Sequence, residues 1–310
     1  MTQYGNDHIP YGDVAVKGKS VKREDVDFLS EGVILRAWLY LPEGAGPFPA
    51  IALGHGFTGI KDGFLHHDYP GFFAAAGFAA LAFDYPNSGE SAGDLRGELD
   101  PIAQQRAYRD AITYLIDRPE VDEERIGIWG TSYGGGHVLT VGAIDRRVRC
   151  VVSQVPTISG SRNHVRRHTP AQLREKRLAF DTDRLARARG GSPAMIQALA
   201  DDNMFTRMPP ECSAHLDKCV TLRTMELYAE YEPASIIERV SPTPLLMIIA
   251  SDDDMTFTED ELEAYGRARE PKNLVMVDGD HRVVYFEEYE RTSTAAREWF
   301  LTHLGRPTSS

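Results

Sequence analysis

A glycine-flanked serine, a run of aspartates and a histidine, each following a short apolar run, define the chemistry open to this chain. Residues 125–137 read Arg-Ile-Gly-Ile-Trp-Gly-Thr-Ser-Tyr-Gly-Gly-Gly-His and contain Gly130-x-Ser132-x-Gly134. A β-branched and aromatic run stops at a serine, and helix-compatible residues follow. That is the layout of a nucleophile elbow, a sharp strand-to-helix turn holding a serine hydroxyl above a parallel sheet. Glycines on either side suit a bend with positive φ and close neighbours. Such a serine needs a base to take its proton and an acid to orient that base. Downstream, Asp252-Asp253-Asp254 follows the apolar run Leu245–Ala250, and His281 sits in Asp-Gly-Asp-His after the apolar run 274–277. Gly279 would let that loop fold the imidazole back over Ser132.

Two of the three aspartates must be spectators. In the usual loop the acid lies a few residues past the strand and about one turn before a proline-like position. Counting from Ala250 puts Asp253 there, with Phe257 in the proline slot; Asp254 is the next candidate and Asp252 the third. A catalytic carboxylate should be hydrogen-bonded and shielded, while its neighbours face water. Each residue also has a plainer reading. Gly-x-Ser-x-Gly recurs by chance, an aspartate run serves as a solvated loop or an N-cap ahead of a helix over 259–268, and a lone loop histidine is an ordinary surface residue. What argues for chemistry is that all three occur at strand ends and in the order serine, acid, histidine. A tetrahedral intermediate further needs backbone donors for its oxyanion. The amide of Tyr133, next after the serine, is one. The Phe57 amide in His55-Gly56-Phe57, after an early apolar run, is the other, although His-Gly is also an ordinary turn. His55 itself reads as structural.

The elements that must position these groups follow from periodicity. Val33–Leu41 predicts a strand, 42–47 a hairpin loop, and 49–53 a short strand buried on both faces. A helix over 68–77 stopped by glycine precedes a strand over 78–83. Residues 100–117 predict a helix with Asp100 as N-cap and Pro101 at its first position, its apolar face made of Ile102, Ala107, Ala111, Ile112, Leu115 and Ile116. Strands over 126–129, 148–155, 244–250 and 273–277, a helix from the elbow to Ala143 and a closing helix over 285–304 complete the pattern. Alternating strands and helices predict an α/β fold with a mostly parallel, doubly wound sheet. Between them, 156–240 is polar, Arg-rich and helix-like. It predicts a helical cap inserted into a core of 1–155 and 241–310.

Composition narrows the function. The chain has 310 residues, 42% of them hydrophobic, and a formal net charge of −12. That charge argues against nucleic acid and anionic membranes as partners. No apolar run is long enough for a membrane span, and the polar stretch 1–22 has no signal-peptide character. Cys150, Cys212 and Cys219 show no metal-ligand spacing and suit a reducing cytoplasm. A dinucleotide-loop reading of Gly130 to Gly136 fails on position, since such loops open their domain, and no tyrosine has a lysine four residues on. The aspartate triplet lacks the second carboxylate cluster a divalent cation would need. Within 156–240, Arg162, Arg166, Arg167, Arg174, Lys176, Arg177, Arg184, Arg187 and Arg189 read as a solvated helical face. Their functional rival is a landing site for a phosphopantetheine or carboxylate group. His164 and His168 share a helix face, yet the arginines beside them favour solvent over metal. Met204, Phe205 and Met208 either line an acyl pocket or hold the cap down, and an apolar patch on the cap would support a homodimer.

With the elbow, the His-Gly-Phe loop, the acid and the histidine in place, the chain resembles an α/β-hydrolase over residues 33–304. The stretches Ala82-Phe-Asp-Tyr-Pro-Asn-Ser-Gly-Glu-Ser91 and Pro119-Glu-Val-Asp-Glu-Glu-Arg-Ile-Gly-Ile-Trp-Gly-Thr-Ser-Tyr-Gly-Gly-Gly-His137 are similar to the dienelactone-hydrolase and cocaine-esterase-like branch. Within it, they resemble serine hydrolases that include polyketide acyltransferases and thiohydrolases. The resemblance implies ester or thioester chemistry on a small-molecule acyl substrate, with no metal or organic cofactor. It departs at Phe257, where many relatives place proline. Transfer of the acyl group to an alcohol or amine, and C–C or amide hydrolysis, use the same triad and are the alternatives.

Overall fold

A computed structural model describes residues 13–16, 19–198 and 207–305. In chain order these form β1 (Asp13–Val16), β2 (Lys19–Ser30), β3 (Val33–Leu41), β4 (Phe48–Gly54), α1 (Tyr69–Ala75), β5 (Ala79–Phe83), α2 (Pro101–Ile116), β6 (Val121–Thr131), α3 (Tyr133–Ile144) and β7 (Val148–Gln154). There follow α4 (Gly160–Arg166), α5 (Pro170–Ala188), β8 (Met195–Gln197), β9 (Cys219–Thr221), α6 (Leu222–Ala229), β10 (Leu245–Ala250), α7 (Thr258–Arg267), β11 (Lys272–Val277) and α8 (Tyr289–Leu304).

Nine of the strands form one sheet in the order β1-β2-β3-β5-β4-β6-β7-β10-β11. From β5 to β11 every pairing is parallel, and β1, β2 and β3 add an antiparallel edge. The chain is thus an α/β-hydrolase-type doubly wound fold. Alternation on the central strands explains why their sequences read as continuous apolar runs. Ala50 and Ala52 of β4, Ile126 and Ile128 of β6, and Leu245, Met247 and Ile249 of β10 pack under α2, α3 and α7. Ile51 and Leu53, Trp129, and Leu246 and Ile248 face the other way, against α1 and α8.

Three expectations are corrected. The 42–47 loop is not a hairpin: β3 pairs with β2 and β5, and β4 lies beyond β5. Ile102 does not join the buried face of α2; it is 57% exposed, while Ala107, Ala111, Ile112 and Leu115 are buried. The third is an omission. β2 carries Lys22, Arg23, Glu24, Asp25 and Asp27, a polar composition that hides a strand paired to β3 with Val21 and Phe28 buried in the core. The N-cap expectation holds, since the Asp100 carboxylate accepts from the Ile102 and Ala103 amides. Residues 156–240 leave the sheet after β7 and return as β10, its immediate neighbour. Besides the helices expected there, they contain a small two-stranded sheet of β8 and β9.

At the β6–α3 junction Ser132 has φ 55° and ψ −116°. The strain therefore sits on the serine, and its flanking glycines answer to crowding instead. A methyl group at Gly130 would lie 2.2 Å from the Gly134 carbonyl oxygen, and one at Gly134 would lie 2.4 Å from that of His55. Both obstacles are backbone, so neither can swing aside. Gly134→Ala is expected to cost about 1–3 kcal/mol or more, read as a lowered midpoint in urea unfolding. A midpoint equal to that of the unsubstituted protein would show that the crowding is relieved without cost.

Candidate active site

The elbow, the acid loop and the histidine loop all leave the carboxyl ends of parallel strands of the one sheet, where α/β sheets bind ligands. Ser132 follows β6, Asp253 follows β10 and His281 follows β11. The Nε2 atom of His281 stands 3.0 Å from Ser132 Oγ, and its Nδ1 stands 2.7 Å from Asp253 Oδ2. Gly279, at φ 126°, supports the turn that brings the imidazole back. Its carbonyl accepts from the Asp252 amide at 2.9 Å, tying the acid and histidine loops together.

The aspartate run separates cleanly. Asp253 is 5% exposed and accepts from the Met255 and Thr256 amides at 2.8 and 2.7 Å. Asp252 and Asp254 face solvent, with Asp254 near the Arg282 guanidinium. Burial alone would raise the Asp253 carboxyl, but the facing His281 imidazole and the two amides outweigh it and hold the group down at about 2. Phe257, in the proline slot, has φ 65°. Proline is locked near φ −65°, so it could not occupy this turn; the departure at this residue is a consequence of the local backbone.

Tyr133 is the first residue of α3, where an amide has no partner within the helix. The loop carrying Phe57 passes directly over the serine, so that a methyl group at Gly56 would lie 3.1 Å from Ser132 Cβ. Among the described residues, neither the Phe57 nor the Tyr133 amide donates to a backbone acceptor. Rings of Tyr133 and Tyr228 pack edge-on to Phe57, each at 5.5 Å. His55 is buried, which keeps its imidazole below the ordinary value and neutral, with Nδ1 at 3.1 Å from the Gly56 carbonyl. That geometry suits a structural role.

Residues the sequence did not single out complete the surroundings. Thr256 Oγ1 lies 3.3 Å from His281 Nδ1 and 3.1 Å from Glu261 Oε1. Glu261 is fully buried, and its burial together with the Asp253 charge pushes its carboxyl well above the ordinary value. Nothing marks Glu261 in a chain with 46 acidic residues. His137, one turn into α3, is clamped between Gln104 and the Tyr231 hydroxyl, each at 2.8 Å.

Over Ser132 and His281 opens a cavity of about 350 Å³, walled by Ile60, Phe64, Trp129, Ile196, Met208, Met225 and Met255, with Arg167 and Lys176 at its polar side. Met208 thus faces the site, whereas Met204 and Phe205 lie outside the described residues. The solvated-face expectation for the arginines of 156–240 holds only in part. Arg162 and Arg166 bind Asp260 at 3.1 and 3.2 Å, and also Glu263 and Glu259, fastening α4 to α7. His168 lies beyond the end of α4 and so shares no helix face with His164; their rings are tilted 47° at 4.9 Å, and His168 Nδ1 is engaged by the His164 carbonyl at 2.7 Å. A larger depression of about 780 Å³ beside β2 and α2 is lined by residues such as Leu29, Ile34 and Tyr114 and holds no serine, cysteine or histidine. Among the described residues, no helix is long and apolar enough to cross a membrane.

Comparison with known proteins gives the family and the fold. Residues 31–283 match the X-Pro dipeptidyl-peptidase (S15) family. The thiohydrolase aneE of Aspergillus aculeatus is 31% identical, over 81% of this chain and 83% of its own length. The polyketide transferase ATR5 of Stachybotrys chlorohalonatus is 29% identical, over 83% of this chain and 88% of its own. Among solved structures, the α/β hydrolase GrgF from Penicillium superposes with a TM-score of 0.80 at 26% identity, covering 92% of this chain and 99% of that one.

Proposed function

The chain belongs to the X-Pro dipeptidyl-peptidase (S15) family of α/β-hydrolases, and from that premise we propose that it is a serine hydrolase of carboxylic esters or thioesters. The observation that carries this reading is the continuous relay from Asp253 through His281 to Ser132, with hydrogen bonds of 2.7 and 3.0 Å. Ser132 Oγ attacks the acyl carbonyl while His281 Nε2 takes its proton. Asp253 holds the imidazole in the productive tautomer and stabilises the imidazolium. The amides of Phe57 and Tyr133 receive the oxyanion. The protonated His281 then gives its proton to the departing alcohol or thiol, and water repeats the sequence on the acyl-enzyme. No metal or organic cofactor enters these steps.

Two features favour an acyl substrate over a peptide. Relatives across most of the chain are a thiohydrolase and a polyketide transferase by name. A dipeptidyl-peptidase must also hold the ammonium of its substrate's amino terminus. The charged side chains on this cavity's wall, among the described residues, are the cationic Arg167 and Lys176. They would repel an ammonium. Residues 156–240 act as the cap over a core of 1–155 and 241–310, and their side chains set the acyl group. Three free cysteines with no disulfide suit a cytoplasmic protein.

Purified protein should release p-nitrophenol from the acetate and butyrate esters and free thiol from an acyl-N-acetylcysteamine. No turnover of any of the three, in a sample whose folding is verified by circular dichroism, would reject the reading. Passing the acyl group to an alcohol or amine uses the same acyl-enzyme, and the transferase relatives favour it as the second reading. A new ester detected by mass spectrometry when alcohols are added would select it.

A further inference from the structure

Cations in the 156–240 segment fall into two groups. Arg162, Arg166, Arg184 and Arg187 each meet a carboxylate: Asp260, Asp260, Glu226 and Asp183 respectively. Lys176 does not. It projects from the middle of α5, is half-buried, and lines the cavity over Ser132. Among the described residues it makes no hydrogen bond or ion pair. Among the described residues the Arg167 guanidinium, on the same wall, meets the Met255 carbonyl and the Phe257 ring, 5.9 Å away, and no carboxylate. In a chain of 46 acidic and 34 basic residues, carboxylates are in surplus. A half-buried cation kept from them pays a desolvation penalty that an anion bound beside it would recover. Much of the wall is apolar, with Ile196, Met208, Met225 and Met255 among its residues, which would strengthen a charge pair formed there.

From this we infer that the substrate carries an anionic oxygen group in addition to its scissile ester or thioester, and that Lys176, assisted by Arg167, binds it while the apolar wall takes the chain between. The inference rests on the hydrolase reading of the site and adds the class of substrate. A carboxylate at the far end of the acyl chain and a phosphate on a coenzyme leaving group would both satisfy the two cations.

Two matched substrate pairs test it on the full chain. Mono-p-nitrophenyl adipate and p-nitrophenyl hexanoate differ by a terminal carboxylate; hexanoyl-4′-phosphopantetheine and hexanoyl-pantetheine differ by one phosphate. The expected result is a higher kcat/KM for the anionic member of at least one pair. That preference should fall by about tenfold or more in Lys176→Met and persist in Lys176→Arg, which also controls for folding. A preference confined to the first pair identifies a carboxylate, and one confined to the second a phosphate. An anionic-to-neutral ratio that is the same in wild type and Lys176→Met overturns the inference while leaving the hydrolase reading in place. Absence of turnover of all four substrates overturns the hydrolase reading, and the inference with it.

Discussion

Replacing Ser132 by alanine is expected to lower kcat for p-nitrophenyl butyrate by about 10⁵-fold or more. The substitution deletes the one oxygen that His281 Nε2 meets at 3.0 Å, and with it the acyl-enzyme. Whatever turnover survives would come from the Phe57 and Tyr133 amides acting on an attacking water. The elbow itself should hold, because its backbone is fixed by bonds that do not use the hydroxyl: the Ser132 amide to Gln154 and the Thr157 amide to the Ser132 carbonyl, both 2.9 Å. Labelling by a fluorophosphonate probe should vanish in parallel. Turnover within tenfold of wild type would remove Ser132 from the mechanism.

Substituting the three aspartates one at a time should give one large effect and two small ones. Asp253→Asn is expected to lower kcat by about 10⁴-fold, because an amide in that place no longer selects the tautomer whose Nε2 accepts the serine proton. Asp252→Asn and Asp254→Asn should stay within a few-fold of wild type, as exposed charges contribute little. A comparable loss in either neighbour would move the acid assignment. Asp253→Asn has a second signature in stability. The Asp253 carboxyl lies at about 2 in the fold against an ordinary 3.8. A depressed carboxyl contributes stability that is complete above the unfolded value and disappears as pH falls towards the folded one. Roughly 2 kcal/mol of acid sensitivity between about pH 4 and pH 2 should therefore be missing from urea unfolding of the asparagine variant.

Most of the machinery was legible because the groups that react sit where local sequence signals are strongest. The apolar runs of β4, β6, β10 and β11 end at His55, Ser132, Asp253 and His281 within a few residues, and a strand buried on both faces has little choice of composition. The choice of Asp253 over its neighbours could be counted from the end of β10, but the burial that decides it is tertiary. Strand order was not legible in the same way. Nothing in 42–47 tells that β4 passes over β5 before entering the sheet, because a loop sequence limits local geometry and leaves the pairing partner open. β2 was missed since its core residues Val21 and Phe28 are separated by a run of charged residues that breaks the apolar pattern. Thr256, Glu261 and Lys176 stand outside any motif, and only folding brings them to the triad and the cavity.

β7 and β10 are neighbours in the sheet, with Val151 beside Leu245, although residues 156–240 separate them in the chain. The sheet closes across that gap without losing a pairing, and the entropy of closing a loop grows only slowly with its length, by about 0.6 kcal/mol per doubling. Insertions, deletions and exchanges in this stretch should therefore be tolerated by the core far better than equivalent changes elsewhere. Selection can work on the cavity wall and on the strand ends at different rates. A lineage built this way can diversify what it accepts while inheriting one set of reacting atoms unchanged.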